Sequence, residues 1–251
     1  MEDTKKDFEG DVALKSPLLE KIENFWYHYK WHTVVAAFLL VAILVMSLQM
    51  CQKTSYDAYI LYAGTHEISR SSADGDTPYN NAVSSLKKVC EDFDGDENVN
   101  ISLLNLFVLN NKEIEDALEG TTGKEINQAL ITEDTETLKN TLLFGEYYVC
   151  FLSERLFFEY EEAYDGAMFA ALKDYTAREG EYIYASERGI YLSSPALSDF
   201  YSLPVIAELP EDTVICLRQL SEVSTLFGKE QNETHFKRGE SIIKNILSYE
   251  K

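Results

Sequence analysis

Cysteine is scarce in this chain. Only Cys51, Cys90, Cys150 and Cys216 occur in 251 residues, and no two stand at the CxxC spacing of zinc or dithiol sites. Three of them lie beyond residue 51, so at least one stays unpaired unless chains cross-link. Cys150 and Cys216 sit inside the apolar runs YYVCFL and TVICLR, which reads as small buried hydrophobes. Histidine is scarcer in effect, because His66 and His235 are the only two beyond residue 51. The chain has no HExxH, no GxSxG, no glycine-rich phosphate loop and no dinucleotide fingerprint. Basic residues are also few, 22 against 43 acidic ones. Nucleic-acid affinity comes from neutralising phosphates with Lys and Arg, so that class of partner is excluded.

One long apolar run is present. Thr33 to Met50, TVVAAFLLVAILVMSLQM, is 18 residues without a charge, and no charged residue occurs between Lys30 and Lys53. As an α-helix it spans roughly 27 Å, close to a hydrocarbon core. A cleaved signal peptide has a shorter core and a shorter leader than the 32 residues found here. A lipoprotein needs small residues before its cysteine, whereas Leu48, Gln49 and Met50 precede Cys51. The reading is a single membrane-spanning helix. Lys15, Lys21 and Lys30 before it outweigh Lys53 and Arg70 after it, which places the N-terminus in the cytoplasm and the C-terminal domain outside the cell. Trp26, Tyr27, Tyr29 and Trp31 form an aromatic collar on the same flank.

The organisation follows from that run: a cytoplasmic head at 1–32, a span at 33–50, a tether at 51–56 and an extracytoplasmic domain at 57–251. Met1 to Ser16 is polar and without period, so it is expected to be disordered. Pro17 opens a lead-in helix whose Leu18, Leu19, Ile22, Phe25, Trp26 and Tyr29 share one face. From Cys51 onward the chain keeps 17 of the basic and 36 of the acidic residues, so the domain is strongly anionic.

Within the domain, DAYILYAG (57–64), NVNISLLNLFVLN (98–110) and YYVCFL (147–152) read as buried strands. Helical patterns lie between and after them: 77–93 behind Thr77 and Pro78, 112–119, 124–131, 133–144 ending at Gly145, and 155–164. Strands alternating with helices predict an α/β fold, a one-domain, largely parallel sheet flanked by helices. From Glu181 the rhythm changes to two strands about a Glu187-Arg188-Gly189 turn, then TVICLRQL as another strand, and an amphipathic helix over 233–249.

Leu138 to Tyr175 resembles a recurring piece of extracellular solute-binding proteins, on the landmarks Gly145-Glu146, the strand Tyr147 to Leu152, Ser153-Glu154 opening a helix, and Gly166, Leu172 and Tyr175. The resemblance covers about 38 of 251 residues and implies one lobe of a periplasmic-binding-protein-like fold with a ligand near that helix. About 75 residues follow Tyr175, too few for a second lobe of ordinary size. The layout, with YHYKWHT before the span, is also similar to membrane-anchored extracytoplasmic proteins of Gram-positive bacteria.

Two sets of residues are candidate sites. Asp92, Asp94, Asp96, Asn98 and Asn100 put oxygens at alternate positions, as a Ca²⁺ loop does, although Leu103 stands where that loop has its bidentate Glu. His66, Glu67, Ser153 and Glu154 each follow an expected strand. With parallel pairing they meet at the carboxyl edge, where open α/β sheets bind ligands. No catalytic set and no resident cofactor other than Ca²⁺ is expected. The sequence points to a non-enzymatic binding or assembly module at the bilayer, meeting another protein or a small solute. The alternatives are a solute-binding accessory protein of a transporter and an extracytoplasmic hydrolase.

Overall fold

The computed structural model describes residues 17–51, 56–69, 77–120, 127–176, 181–220 and 228–250. The head before Pro17, the tether at 52–55, the far part of the loop after Gly64 and the start of the helix expected at 124–131 lie outside them. The chain divides into two compact units, Met1–Thr54 and Ser55–Lys251.

The first unit is α1 (Pro17–Cys51), a 35-residue helix that runs unbroken from the lead-in segment through the aromatic collar into the apolar run. At the helical rise it measures about 52 Å, longer than a bilayer is thick. Its Phe25–Ser47 segment is long and apolar enough to cross a membrane, and none of it is buried by protein. The two aliphatic hydroxyls of that segment bond within the helix. Thr33 Oγ1 donates to the Tyr29 carbonyl at 3.0 Å, and Ser47 Oγ to the Ile43 carbonyl at 2.8 Å. Lipid offers no partner to a polar group, so internal satisfaction is the condition for residence there.

The second unit is an α/β domain. Its main elements in order are β1 (Ala58–Gly64), α2 (Pro78–Leu86), β2 (Ile101–Phe107), α3 (Asn111–Gly120), α4 (Gln128–Phe144), β3 (Val149–Ser153), α5 (Glu154–Ala163), β4 (Tyr184–Ser186), β5 (Gly189–Tyr191), α6 (Ser198–Tyr201), β6 (Thr213–Leu217) and α7 (Lys229–Leu247). Thr77 caps α2 by accepting from the Asn80 amide at 3.1 Å, with Pro78 in the first turn. Asn127 caps α4. The two helices expected over 124–144 are, in the described residues, the single α4, since nothing between Ile131 and Glu133 breaks a helix.

The six strands form one sheet in the order β2-β1-β3-β6-β5-β4. Only β1 with β2 and β1 with β3 are parallel; β3 with β6, β6 with β5 and β5 with β4 are antiparallel. The sheet is therefore mixed, which corrects the expectation of largely parallel pairing. The cause is local. The two-residue turn Glu187-Arg188 joins β4 to β5 and permits only antiparallel pairing, and the chain between β5 and β6 contains short helical turns in place of a crossover helix.

The two crossovers, from β1 to β2 and from β2 over β1 to β3, run in opposite directions across the sheet, so right-handed connections put their helices on opposite faces. Accordingly α2 and α7 cover one face, with Leu86, Ile242, Ile243 and Ile246 over Ile60, Tyr62, Phe151 and Ile215. Helices α4 and α5 cover the other, with Leu138, Leu142, Leu156 and Phe157 over Leu61, Cys150, Leu152 and Cys216. A Cβ at Gly189 would stand 2.6 Å from Phe157 and from Val214, so β5 passes beneath α5 only as glycine. Both sheet edges are blunted: β4 has three residues, and on β2 the Tyr79 hydroxyl donates to the Leu103 carbonyl while Asp134 accepts from the Phe107 amide.

Immediately after β6, Arg218 is fully buried. Its backbone amide donates to the Tyr148 carbonyl at 2.8 Å. Nε donates to the Tyr147 carbonyl at 3.1 Å, Nη1 to the Leu142 carbonyl at 3.0 Å, and Nη2 to the Gly145 carbonyl. The guanidinium also stacks 4.2 Å from the centroid of the Tyr148 ring. Leu142 and Gly145 are orphan acceptors at the end of α4, so Arg218 serves as a helix cap supplied by a strand. Replacing it by Met leaves three carbonyls without donors. Arg218→Met should lower unfolding stability by about 3 kcal/mol or more in urea titrations followed by circular dichroism. Arg218→Lys should recover only part of that, and an unchanged midpoint for Met would contradict the capping role.

Candidate functional site

Parallel pairing of β1 and β3 brings their carboxyl ends side by side, with Ala63 in register with Leu152. The next pair is Gly64 and Ser153. A Cβ on Gly64 would lie 3.6 Å from the Ser153 Cβ and 2.8 Å from the Tyr62 hydroxyl, so the tyrosine folds back over a position that only glycine leaves open. The Tyr62 hydroxyl accepts from the His66 amide at 3.3 Å. Burial, with a smaller push from Asp212, holds its phenol far above the ordinary range.

All four expected residues therefore sit at one sheet edge, in two different settings. His66 is half-buried and Glu67 exposed. Ser153 is 4% exposed and occupies the N-cap position of α5, yet its hydroxyl makes no capping bond. That Oγ has no hydrogen-bond partner, and the same is true of Asn105 Oδ1 on β2, which stands in register with Tyr62. Glu154 donates its amide to the Asp212 carbonyl at 3.0 Å and accepts from the Tyr191 hydroxyl at 2.5 Å, a bond that pushes the Tyr191 phenol up to about 12. Desolvation, then the charges of Glu154 and Glu113, raises the Asp212 carboxyl above its usual value. Arg155, the nearest cation on α5, is committed to Glu113 at 3.1 Å, Glu159 at 3.2 Å and the Val108 carbonyl at 3.2 Å.

Compared with models of protein families, with curated proteins and with solved structures, the chain matches none.

Among the described residues, no base hydrogen-bonds to Ser153 Oγ. The cavity beneath Tyr62, lined by Ile68, Leu86, Phe151, Ile206 and Leu209 among others, measures about 10 Å³ and has room for about one water. The residues that sequence reading missed here are Asp212, Tyr191 and Asn105. Asp212 becomes a neighbour of Glu154 only through the antiparallel pairing of β6.

The acidic turn is built differently from a Ca²⁺ loop. Asp92 and Asp94 come together with Asp57, which starts β1, and not with Asp96. Asp57 is fully buried. Its Oδ1 accepts from the amides of Phe93 and Asp94 at 2.9 and 3.3 Å, and its Oδ2 from that of Asn100 at 2.9 Å. Asp92 accepts from the Gly95 and Glu97 amides at 2.6 and 2.8 Å, and Asp96 from that of Asn98 at 2.8 Å. Leu103, at the position of the missing Glu, is buried in β2. These carboxylates accept from backbone N–H groups, and an oxygen of each of Asp57, Asp92 and Asp94 lies within 4.8 Å of the others, close enough to share one cation. Although desolvation raises the Asp92 carboxyl, the N–H groups of Gly95, Glu97 and Asp96 hold it below the ordinary value.

Two outcomes follow. Asp57→Ala strips three amides of their acceptor, and should cost about 3 kcal/mol with loss of hydrogen-exchange protection at Phe93, Asp94 and Asn100; unchanged protection would refute this. With its oxygens already bonded to N–H groups, the turn should let millimolar Ca²⁺ leave the melting temperature of the full chain unmoved; a saturable rise would support the metal reading. The sign of the pH effect is set by Asp92. Its folded-state value is depressed, so its stabilisation is present above the ordinary aspartate range and lost as the pH falls through the depressed value.

Proposed function

We propose that this chain is a single-pass membrane protein, N-terminus in the cytoplasm, whose acidic α/β domain works outside the cell as a non-enzymatic binding or assembly module. Phe25–Ser47 carries this reading: it is a helix long and apolar enough to cross a membrane, with the Thr33 and Ser47 hydroxyls satisfied internally and none of it buried. The Lys15, Lys21 and Lys30 flank supports the orientation. The face used for binding is the carboxyl edge of β1 and β3. Both lateral edges of the sheet are blunted against strand addition, and the sheet faces are covered by helices. The unpartnered Ser153 and Asn105 oxygens favour a second reading, in which the occupant of that edge is a small solute handed to a transporter.

Orientation is tested by thiol labelling of intact cells with a membrane-impermeant reagent. In a Cys51→Ser background, Asn140→Cys, on the exposed side of α4, should label directly, and Ser16→Cys only after permeabilisation. The reverse pattern would overturn the topology. Function is tested by a photo-crosslinking residue placed at Glu67 in living cells. A discrete adduct there, absent when the same residue replaces Glu136 on α4, supports the module; equal adducts at both positions, or none at either, would count against a partner at this edge.

A further inference from the structure

The pairing of β3 with β6 sets Cys150 directly opposite Cys216. On one side of this pair the Arg218 amide bonds to the Tyr148 carbonyl, and on the other the Glu154 amide bonds to the Asp212 carbonyl. Antiparallel ladders alternate bonded and unbonded pairs, so Cys150 and Cys216 are a bonded pair with Cα atoms roughly 5.5 Å apart. A disulfide needs Cα atoms at roughly 4.4 to 6.8 Å. Residues that stand opposite share a face, and both thiols lie on the α4 and α5 side, in the cluster of Leu142, Leu152, Leu156 and Phe157. Cys216 Sγ donates to the Cys150 carbonyl at 3.7 Å, and the two side chains interact directly.

Neither of the other cysteines competes for this pair. Cys90 belongs to the cluster on the far face of the sheet, with Ala58, Leu86 and Ile242, and Cys51 ends α1. An odd number of cysteines beyond residue 51 requires one to stay unpaired, and the sheet makes that one Cys90. Burial, then the charges of Asp57 and Glu91, pushes the Cys90 thiol up to about 12, which keeps it from acting as a nucleophile.

We propose that Cys150 and Cys216 are the disulfide site of this domain, closed by exchange with a disulfide oxidant while β3 and β6 pair and before α4 and α5 cover them. The Cys150 thiolate attacks one sulfur of the oxidant, breaking its S–S bond, forming a mixed disulfide and releasing one oxidant thiolate. The Cys216 thiolate then attacks the Cys150 sulfur and expels the second. The cysteine pair gives up two electrons, and the two thiol protons end on the reduced oxidant. The timing follows from burial. In the finished fold both sulfurs are shut from solvent, and burial holds the Cys216 thiol well above the ordinary range, so neither oxidant nor reductant has a thiolate to meet there. The bond joins residues 66 apart and encloses α5, β4, β5 and α6, and with them Ser153, Glu154 and Asp212. Its formation in cells rests on the reading that the domain lies outside the membrane, where disulfides persist.

The test uses the full chain and N-ethylmaleimide. Cells are quenched in acid and unfolded with the reagent to block free thiols, and the chain is digested with trypsin without reduction. The expected product is the peptide 140–155 linked to the peptide 189–218, with loss of both their maleimide adducts, while Cys51 and Cys90 are blocked. Detergent-solubilised chain that is unfolded, reduced and refolded with oxidised glutathione should give the same linked pair, and refolding with dithiothreitol should give both peptides blocked. Blocked Cys150 and Cys216 in the cells and after refolding with oxidised glutathione, or a link from Cys90 to either, would overturn the proposal. Where refolding links the pair and cells do not, the Asn140→Cys label decides. A domain labelled from outside yet unlinked would overturn the disulfide; a domain not labelled from outside would overturn the orientation and keep the site.

Discussion

The domain depends on a permanent charge buried without a counter-ion. Arg218 survives in the core because three carbonyls and one aromatic face replace its water, and because a guanidinium reaches several acceptors at once where an ammonium does not. Burial lowers its proton affinity below the ordinary arginine value. The bonds it makes join the end of α4, the start of β3 and the end of β6. That junction fixes β3 and β6 side by side and antiparallel. At the far end of the same pair, Ser153 faces Thr213 and the Glu154 amide meets Asp212. The capping of one helix thus sets the geometry of the edge where another helix begins.

The other unit contributes by physical confinement. An apolar helix with no protein around it is stable only where backbone and hydroxyl groups bond internally and the surface meets lipid. On the proposed reading, a domain carried on such a helix samples a plane in place of a volume, so modest contacts suffice for residence beside a partner. The strong negative charge of the domain repels anionic headgroups and nucleic acids, and favours cationic partners.

Much of the architecture was legible because it rests on composition and local period. The span needed only an uncharged run; β1, β2 and β3 announced themselves as apolar runs bounded by Gly, Asn or a helix cap. Strand direction was not legible. Nothing in TVICL distinguishes a parallel from an antiparallel neighbour, so β6 beside β3, and with it Asp212 beside Glu154, emerged only in three dimensions. Arg218 was hidden for a different reason: a charged residue at the end of a strand reads as solvated, and its acceptors lie more than 70 residues away. The acidic turn was only partly legible. Alternating Asp residues suit a cation and equally suit backbone N–H groups, and the third carboxylate of the cluster, Asp57, lies just before β1, far away in the sequence.

The central claim, that the carboxyl edge of β1 and β3 is where this membrane-held domain meets its partner, is tested most directly by hydrogen exchange on the full chain in native membranes and after purification into nanodiscs. The account predicts that amides at 64–69 and 153–156 exchange more slowly in native membranes, while those of α4 and of the acidic turn are unchanged. Equal exchange at the edge in both preparations, or added protection confined to the outer surface of α4, would contradict it.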